Sequence, residues 1–412
     1  MSEPARRLRI AIYHNLPSGG AKRALCEMTR RLALHHEIDV YTLATADHGF
    51  ADLRPYARAH HIFPFNPLPL FASPFGRLNQ LQRRRDLGRL EMINRRIAAE
   101  IDESKYDVIM AHPCRFTQAP SVLLYLQTPS VYYAQEGLRR LYEPALTGAG
   151  AAAAGFRAGL NRIDPLIPLY DRALMRTDRR SIQAATRVLV NSRFTQENIS
   201  QAYGIEADVA YLGVDSTFFR PGSGGKGEFL LSVGALRPNK GFAFLIEAVS
   251  LLPPAIRPPL RIVANAGDEA EQARLEGLAT SLDVELQIEV GVSDDALLDR
   301  YQQARVVVYA PHREPFGFVP LEAMACGVPV VAVAEGGVME TVRHEETGLL
   351  VERDAAQFAN AVQELLVNDQ MRDHFGKQGR NVVEEHWGWE RSVIGLGEHL
   401  TLTSCLTERR MA

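Results

Sequence analysis

The chain carries 49 acidic and 46 basic residues over 412 positions, a net charge of −3, and shows no nucleic-acid recognition motif, so no nucleic-acid partner is expected. That length exceeds one comfortable hydrophobic core, and 46% hydrophobic residues describe a soluble globular chain, so two domains are expected. Cys26, Cys114, Cys326 and Cys405 stand far apart without metal-ligand spacing, which argues against a zinc site or a disulfide framework and fits a reducing cytosol.

The first apolar run, 8–13, is too short for a signal peptide, and no run approaches the length of a membrane span, so a cytoplasmic location is expected. It reads as a strand. A turn over 15–21, a helix over 22–34 and a strand over 38–43 complete a βαβ start. Gly19 and Gly20 sit at the strand-to-helix turn, where glycine lets backbone approach a phosphate or a sugar. The pair is not the Gly-x-Gly-x-x-Gly fingerprint, and a plain tight turn is the competing reading.

The stretch 60–96 is less regular. Phe63, Phe65, Leu68, Leu70, Phe71 and Phe75 are interleaved with prolines. Arginines follow at 77, 83, 84, 85, 89, 95 and 96, offset only by Asp86 and Glu91. One reading is an apolar loop and basic helix that dock peripherally on the inner face of an anionic membrane or hold a lipid-linked acceptor phosphate. The other is a solvated basic face beside a packed loop.

Strands over 106–110 and 130–133 follow, the first leading to His112 and the second to Gln135 and Glu136. Polar residues past the strand ends of a doubly wound sheet stand where ligands bind. A glutamine can hydrogen-bond a sugar hydroxyl but takes no proton at neutral pH. Acid–base help would therefore come from Glu136, from His112 or from a donor phosphate; for His112 a structural role in a loop is the competing reading. The low-complexity run 148–155 reads as either a flexible lip or a close-packed turn. A helix over 171–185 and a strand over 187–190 come next. The glycine-rich run 221–227 is the best candidate for a linker and hinge.

A second βα series starts with a strand over 229–233. Its loop, 234–241, carries Arg237 and Lys240, cations that can neutralise a diphosphate; exposed surface charges are the alternative. Strands over 260–264 and 285–290 follow, the latter ending at Gly291 and Val292. Then come a strand over 306–309, a polar loop over 311–317, a helix with Pro320 near its first turn, and a strand over 328–333. Glu314 in the loop and Glu322 on the helix are eight positions apart, so both can face the strand-end crevice. Between them Phe316, Gly317, Phe318 and Val319 lead into a helix start, whose free N–H groups favour an anion. Two solvated charges are the bland alternative.

The words Glu-Pro-Phe-Gly-Phe-Val-Pro-Leu-Glu-Ala-Met-Ala-Cys-Gly-Val-Pro-Val-Val-Ala over 314–332, with Gly-Gly-Val-Met-Glu over 336–340 and Thr-Gly-Leu-Leu-Val over 347–351, change the odds. They resemble the signature of the family 4 glycosyltransferases, retaining enzymes of the GT-B fold. The resemblance implies an α/β chain of two Rossmann-like doubly wound domains facing across a cleft. It gives an acceptor-binding domain over 1–217, a nucleotide-sugar-binding domain over 218–390, and a last helix over 391–412 crossing back.

The implied reaction moves a sugar, with retention, from a nucleotide diphosphate sugar to a hydroxyl of a sugar or lipid-linked acceptor, in glycan, glycolipid or polysaccharide biosynthesis. It needs no metal and no cofactor beyond that co-substrate. By the same resemblance Glu314 lies by the donor sugar, Glu322 by the ribose hydroxyls, and Gly291 and Val292 by the base. Gly19, Gly20, Arg237, Lys240 and the helix start near Gly317 then face the diphosphate. Two departures stand out: Ala235 occupies the usual arginine position, with Arg237 two residues later, and Gln135 stands where related transferases often have a histidine. They raise an alternative, a non-catalytic sugar-nucleotide-binding subunit supporting a partner transferase. A GT-B epimerase or phosphorylase is a further rival, against which the length of the signature argues.

Overall fold

The computed structural model describes residues 6–72, 75–139, 164–225, 227–265 and 267–411; the run 148–155 lies outside them. The chain forms two compact units, Met1–Tyr211 with Ser392–Ala412, and Leu212–Arg391.

The first unit is built on a seven-stranded parallel sheet: β1 (Arg9–Asn15), β2 (Glu37–Leu43), β3 (Ala59–Phe63), β4 (Val108–Cys114), β5 (Ser130–Ala134), β6 (Arg187–Val190) and β7 (Asp208–Val209). Its spatial order is β3-β2-β1-β4-β5-β6-β7. The second unit holds β8 (Leu230–Val233), β9 (Leu260–Ala264), β10 (Leu286–Val290), β11 (Val306–Tyr309), β12 (Val330–Val333) and β13 (Gly348–Val351), in the order β10-β9-β8-β11-β12-β13. Both orders are that of a dinucleotide-type sheet, with the direction of winding reversing between β1 and β4 and between β8 and β11.

Every residue of β4, β11 and β12 is buried, as expected for parallel strands covered on both faces. That is why these strands read as continuous apolar runs rather than alternating ones. In the first unit Tyr13, Ile109 and Tyr132 pack with Ile97 of the long helix Asn79–Glu103. In the second, Ile262, Val308 and Val331 pack with Ile246, Phe358 and Leu365 from helices Phe242–Ser250 and Ala355–Val367. Each such side chain contributes roughly 1.5–3 kcal/mol by leaving water.

The glycine-rich run 221–227 is not a free linker. It lies on the second unit, where Gly227 N donates to Gln303 O at 2.7 Å and Gln302 Nε2 to Arg220 O at 2.9 Å. Composition suggested a free coil, but one backbone and one side-chain bond to the end of helix Asp294–Gln303 tie down its two ends. The chain returns to the first unit along the last helix, Trp389–Met411: Ser392 Oγ donates to Tyr211 O, and Arg187 Nε to Thr403 Oγ1.

Candidate active site

In the second unit, three strand-exit loops pack against one another beside the winding reversal of β8 and β11. Glycines allow the close approach. Gly241 has φ +73, and a Cβ there would lie 2.0 Å from Ala310 O, so loop 234–241 lies flush on the exit of β11. His312 N donates to Asn239 O at 2.9 Å across the same seam. A Cβ on Gly337 would lie 2.4 Å from Pro315 O, and Gly337 N donates to Glu314 O at 2.8 Å.

This packing brings together Lys240 and Glu314, 74 positions apart: Lys240 Nζ donates to both carboxylate oxygens, at 2.7 and 2.8 Å. Both side chains are about one quarter exposed, so the pair borders solvent rather than core. Arg313, beside it, holds φ +46, a strained conformation for a long side chain. Arg237 is exposed and begins the short turn Pro238–Lys240.

Sequence reasoning missed the brace behind this site. Arg353, just after β13, grips both Glu335 oxygens at 2.8 and 2.9 Å and donates to Ala310 O and Pro311 O at 3.0 Å each. It thereby fixes the exit of β11. Burial works against charge on Glu335, but the Arg353 guanidinium holds that carboxyl below its usual range. A lone Arg after a Gly-Leu-Leu-Val strand gives no sequence signal for such a role.

Glu322 lies on helix Phe318–Ala325 and is buried at 7% exposure, accepting a 2.6 Å hydrogen bond from the Tyr301 hydroxyl. The bland expectation of a solvated helix charge does not fit it. Phe316 is buried and turned into an aromatic cluster with Phe318 and Trp387, at ring distances of 5.2 and 5.8 Å. Its side chain anchors the loop. Gly317 precedes the helix, and a Cβ there would stand 2.9 Å from Thr341 Oγ1. Val319 is half-buried in the first turn; Gly291, at φ +71, and Val292 lie past the end of β10.

In the first unit, Gly19 at φ +140 precedes helix Gly20–Leu32 and accepts from Lys22 N and Arg23 N. Lys22 is buried against the expectation for a lysine on an amphipathic helix, with Nζ 3.2 Å from His14 Nε2. On the other side of the ring, Leu16 N lies 3.3 Å from His14 Nδ1. Burial lowers the Lys22 amine to about 8.

His112 departs from its expected loop placement. β4 continues to Cys114, so His112 sits inside the sheet, fully buried and stacked on Tyr133 at 5.5 Å. Burial, then the Lys22 charge, lower its pKa to about 3, so the ring is neutral at pH 7. Gln135, also buried, has its main-chain oxygen held by Asn191 Nδ2 at 3.0 Å, while its own Nε2 has no protein partner among the described residues. Glu136 is half-exposed; its main-chain oxygen accepts from Gln118 Nε2, and its carboxylate is 4.0 Å from Arg139.

Among the described residues no group of three or more His, Cys, Asp and Glu side chains is arranged to hold a metal ion. No described helix is long and apolar enough to cross a membrane.

Two parallel doubly wound sheets define the GT-B class of α/β transferase, and solved structures agree. The Anabaena protein HepE, crystallised with UDP and glucose, superposes with a TM-score of 0.71 over 96% of this chain and 100% of its own, at 19% identity. The model of "Glycosyl transferases group 1" matches residues 214–382, and that of "Glycosyltransferase Family 4" matches residues 18–218. The chain belongs to this glycosyltransferase family. A D-inositol 3-phosphate glycosyltransferase of Acidothermus cellulolyticus is 32% identical over 56% of this chain and 56% of its own length. One from Thermomonospora curvata is 25% identical over 97% of this chain and 96% of its own.

Proposed function

We propose that the protein transfers a sugar, with retention, from a nucleoside diphosphate sugar to an acceptor hydroxyl, without a divalent metal. The observation that carries this is the Lys240–Glu314 contact at the β8/β11 reversal, beside the start of helix Phe318–Ala325. A diphosphate offers Lys240 a second anionic partner, and Arg237 extends from the same loop. Together with the helix start at Gly317 they offset charge as the leaving group departs. Preorganised donors of this kind are worth about 3–4 kcal/mol each. Glu322, already buried and oriented by Tyr301, accepts from the ribose hydroxyls, and Glu314 from hydroxyls of the donor sugar. Gly291 and Val292 meet the base through backbone.

Retention requires the acceptor oxygen to approach the face from which the diphosphate leaves. The bond from the anomeric carbon to the phosphate oxygen breaks, and the bond to the acceptor oxygen forms. A phosphate oxygen on that face takes the acceptor proton. Gln135 and His112 fit this division of labour: the glutamine takes no proton, and the histidine is buried. Gln135 Nε2 is the donor left over to orient a hydroxyl.

The acceptor is taken to be a phosphorylated polyol or a lipid-linked sugar, a reading supported by the relatives named for D-inositol 3-phosphate. Peripheral contact with an anionic membrane belongs to the same reading. Leu70, Phe71, Phe75 and Leu78 are exposed beside the exposed Arg83, Arg84 and Arg85, and this combination supports it. A second reading, a non-catalytic nucleotide-sugar-binding subunit, is favoured by Ala235 and Gln135. Incubation with UDP-, GDP- and ADP-sugars and a panel of phosphorylated polyols and glycolipids separates the two. Transfer with retained anomeric configuration supports the first; binding without transfer or hydrolysis supports the second.

A further inference from the structure

The first unit contains a cavity of about 480 Å³ that none of the donor residues touches. Its walls come from the segment after β3 (Phe65, Leu68), the long helix Asn79–Glu103 (Leu87, Leu90) and the segments after β4 and β5 (Phe116, Leu138). These are carboxyl-end segments of the parallel sheet, where such folds place ligands. The volume lies in the range of small-molecule sites.

The polar groups at the cavity are few, and most are committed to the wall. Asp86 accepts from Leu68 N at 2.9 Å and from Arg89 at 2.7 Å. Gln118 Nε2 is spent on Glu136 O. Two cations remain: Arg115, with one guanidinium nitrogen on Thr45 O, and Arg83, which is exposed and has no side-chain partner among the described residues. An apolar chamber with arginines and without an available carboxylate matches an amphiphile, with its chain inside and an anionic group at the arginines.

We infer that this cavity binds the hydrocarbon portion of an acceptor bearing a single chain and an anionic group, with Arg83 and Arg115 meeting the anion. The inference rests on the acceptor reading above and narrows it: the acceptor is an amphiphile rather than a free polar sugar. A cavity lined by leucines and phenylalanines gains nothing from a polyol alone.

The test is calorimetric titration of the full chain with alkyl phosphates of increasing length, below their micelle concentrations, alongside inorganic phosphate and a nucleoside diphosphate. Affinity is expected to rise about fourfold per methylene and to level off once the chain outgrows the cavity. Inorganic phosphate should not bind measurably. Leu87→Trp, which fills the chamber, should weaken the longest bound alkyl phosphate at least roughly tenfold and leave nucleoside diphosphate affinity unchanged. Should Leu87→Trp fail to fold, Arg83→Glu, a change at an exposed residue, should also weaken alkyl phosphate binding.

Alkyl phosphate affinity independent of chain length, or unaltered in both variants, overturns the inference; so does equal binding of inorganic phosphate. Loss of nucleotide binding in the wild type would instead sink the donor reading, so the two failures are distinguishable.

Discussion

Removing the Glu322 carboxylate should separate ligand binding from folding. Its side chain is buried, and the Tyr301 hydroxyl donates to it at 2.6 Å. A hydrogen bond to a charged group is worth about 1.5–3 kcal/mol, so Glu322→Ala should weaken the preferred nucleoside diphosphate by roughly 10- to 150-fold. Glu322→Gln keeps an acceptor for Tyr301 and for ribose but loses the charge, and a loss of about 1 kcal/mol, near fivefold, is expected. Glu322→Ala also takes an acceptor from a buried hydroxyl, which costs about 1–3 kcal/mol of stability. Tyr301→Phe supplies the control, because it removes the same bond from the other side and leaves the carboxylate in place. It should lower the melting temperature while changing nucleotide affinity by less than Glu322→Ala does. Calorimetry for affinity and thermal melts for stability are the assays. The reasoning is refuted if Glu322→Ala binds nucleotide as wild type does while melting earlier, for then the carboxylate only serves Tyr301.

The remaining predictions concern the cations, pH and the membrane. Lys240→Ala and Arg237→Ala should each lower kcat by about a hundredfold with little loss of stability, since partly exposed charges contribute little to folding; if Arg237→Ala transfers sugar at the wild-type rate, Lys240 is the only cation this loop supplies. His112 has a folded pKa near 3, below its unfolded value, so it contributes stability above pH 6.5 that is lost as pH falls through that window. Asp178 is raised to about 7, chiefly by burial, so its contribution runs the other way, present below pH 3.8 and lost as pH rises towards 7. Denaturant midpoints against pH should therefore change slope in opposite senses in His112→Phe and Asp178→Asn, by up to ~1.4 kcal/mol per pH unit each; parallel profiles for both variants would contradict the assignment. Replacing Arg83, Arg84 and Arg85 by Glu should release the protein from anionic vesicles at low salt in a flotation assay, and a wild type that never floats rules the contact out.

Much of the second unit was legible because its central strands β11 and β12 are buried on both faces and its loops carry their own punctuation. Gly241, Gly336 and Gly337 sit where any Cβ would collide with a neighbouring carbonyl, and sequence already marks such positions. The contact between Lys240 and Glu314 was not legible, since it joins loops 74 positions apart and depends on those glycine approaches. The Arg353 brace was hidden for the same reason. The ties at the two ends of the run 221–227 were not legible, because composition reports flexibility of an isolated chain and says nothing of the partners a fold supplies. His112 was misplaced because His-Pro-Cys carries weak strand propensity, and pairing of Cys114 with Asn15 of β1 carries the strand past it. Burial of Lys22 ran against the usual fate of lysine; the His14 contact and the nearby Asp47 and Asp52 carboxylates accompany it.

The central claim is that the second unit grips a diphosphate by Lys240, Arg237 and the start of helix Phe318–Ala325. Its most direct measurement is calorimetric titration, in EDTA, of UDP, GDP and ADP and the matching monophosphates into wild type and the double variant Arg237→Ala/Lys240→Ala. One diphosphate should bind at least roughly tenfold more tightly than its monophosphate, and the double variant should abolish that difference. No binding by any diphosphate in EDTA, or a diphosphate preference that survives loss of both cations, would contradict it.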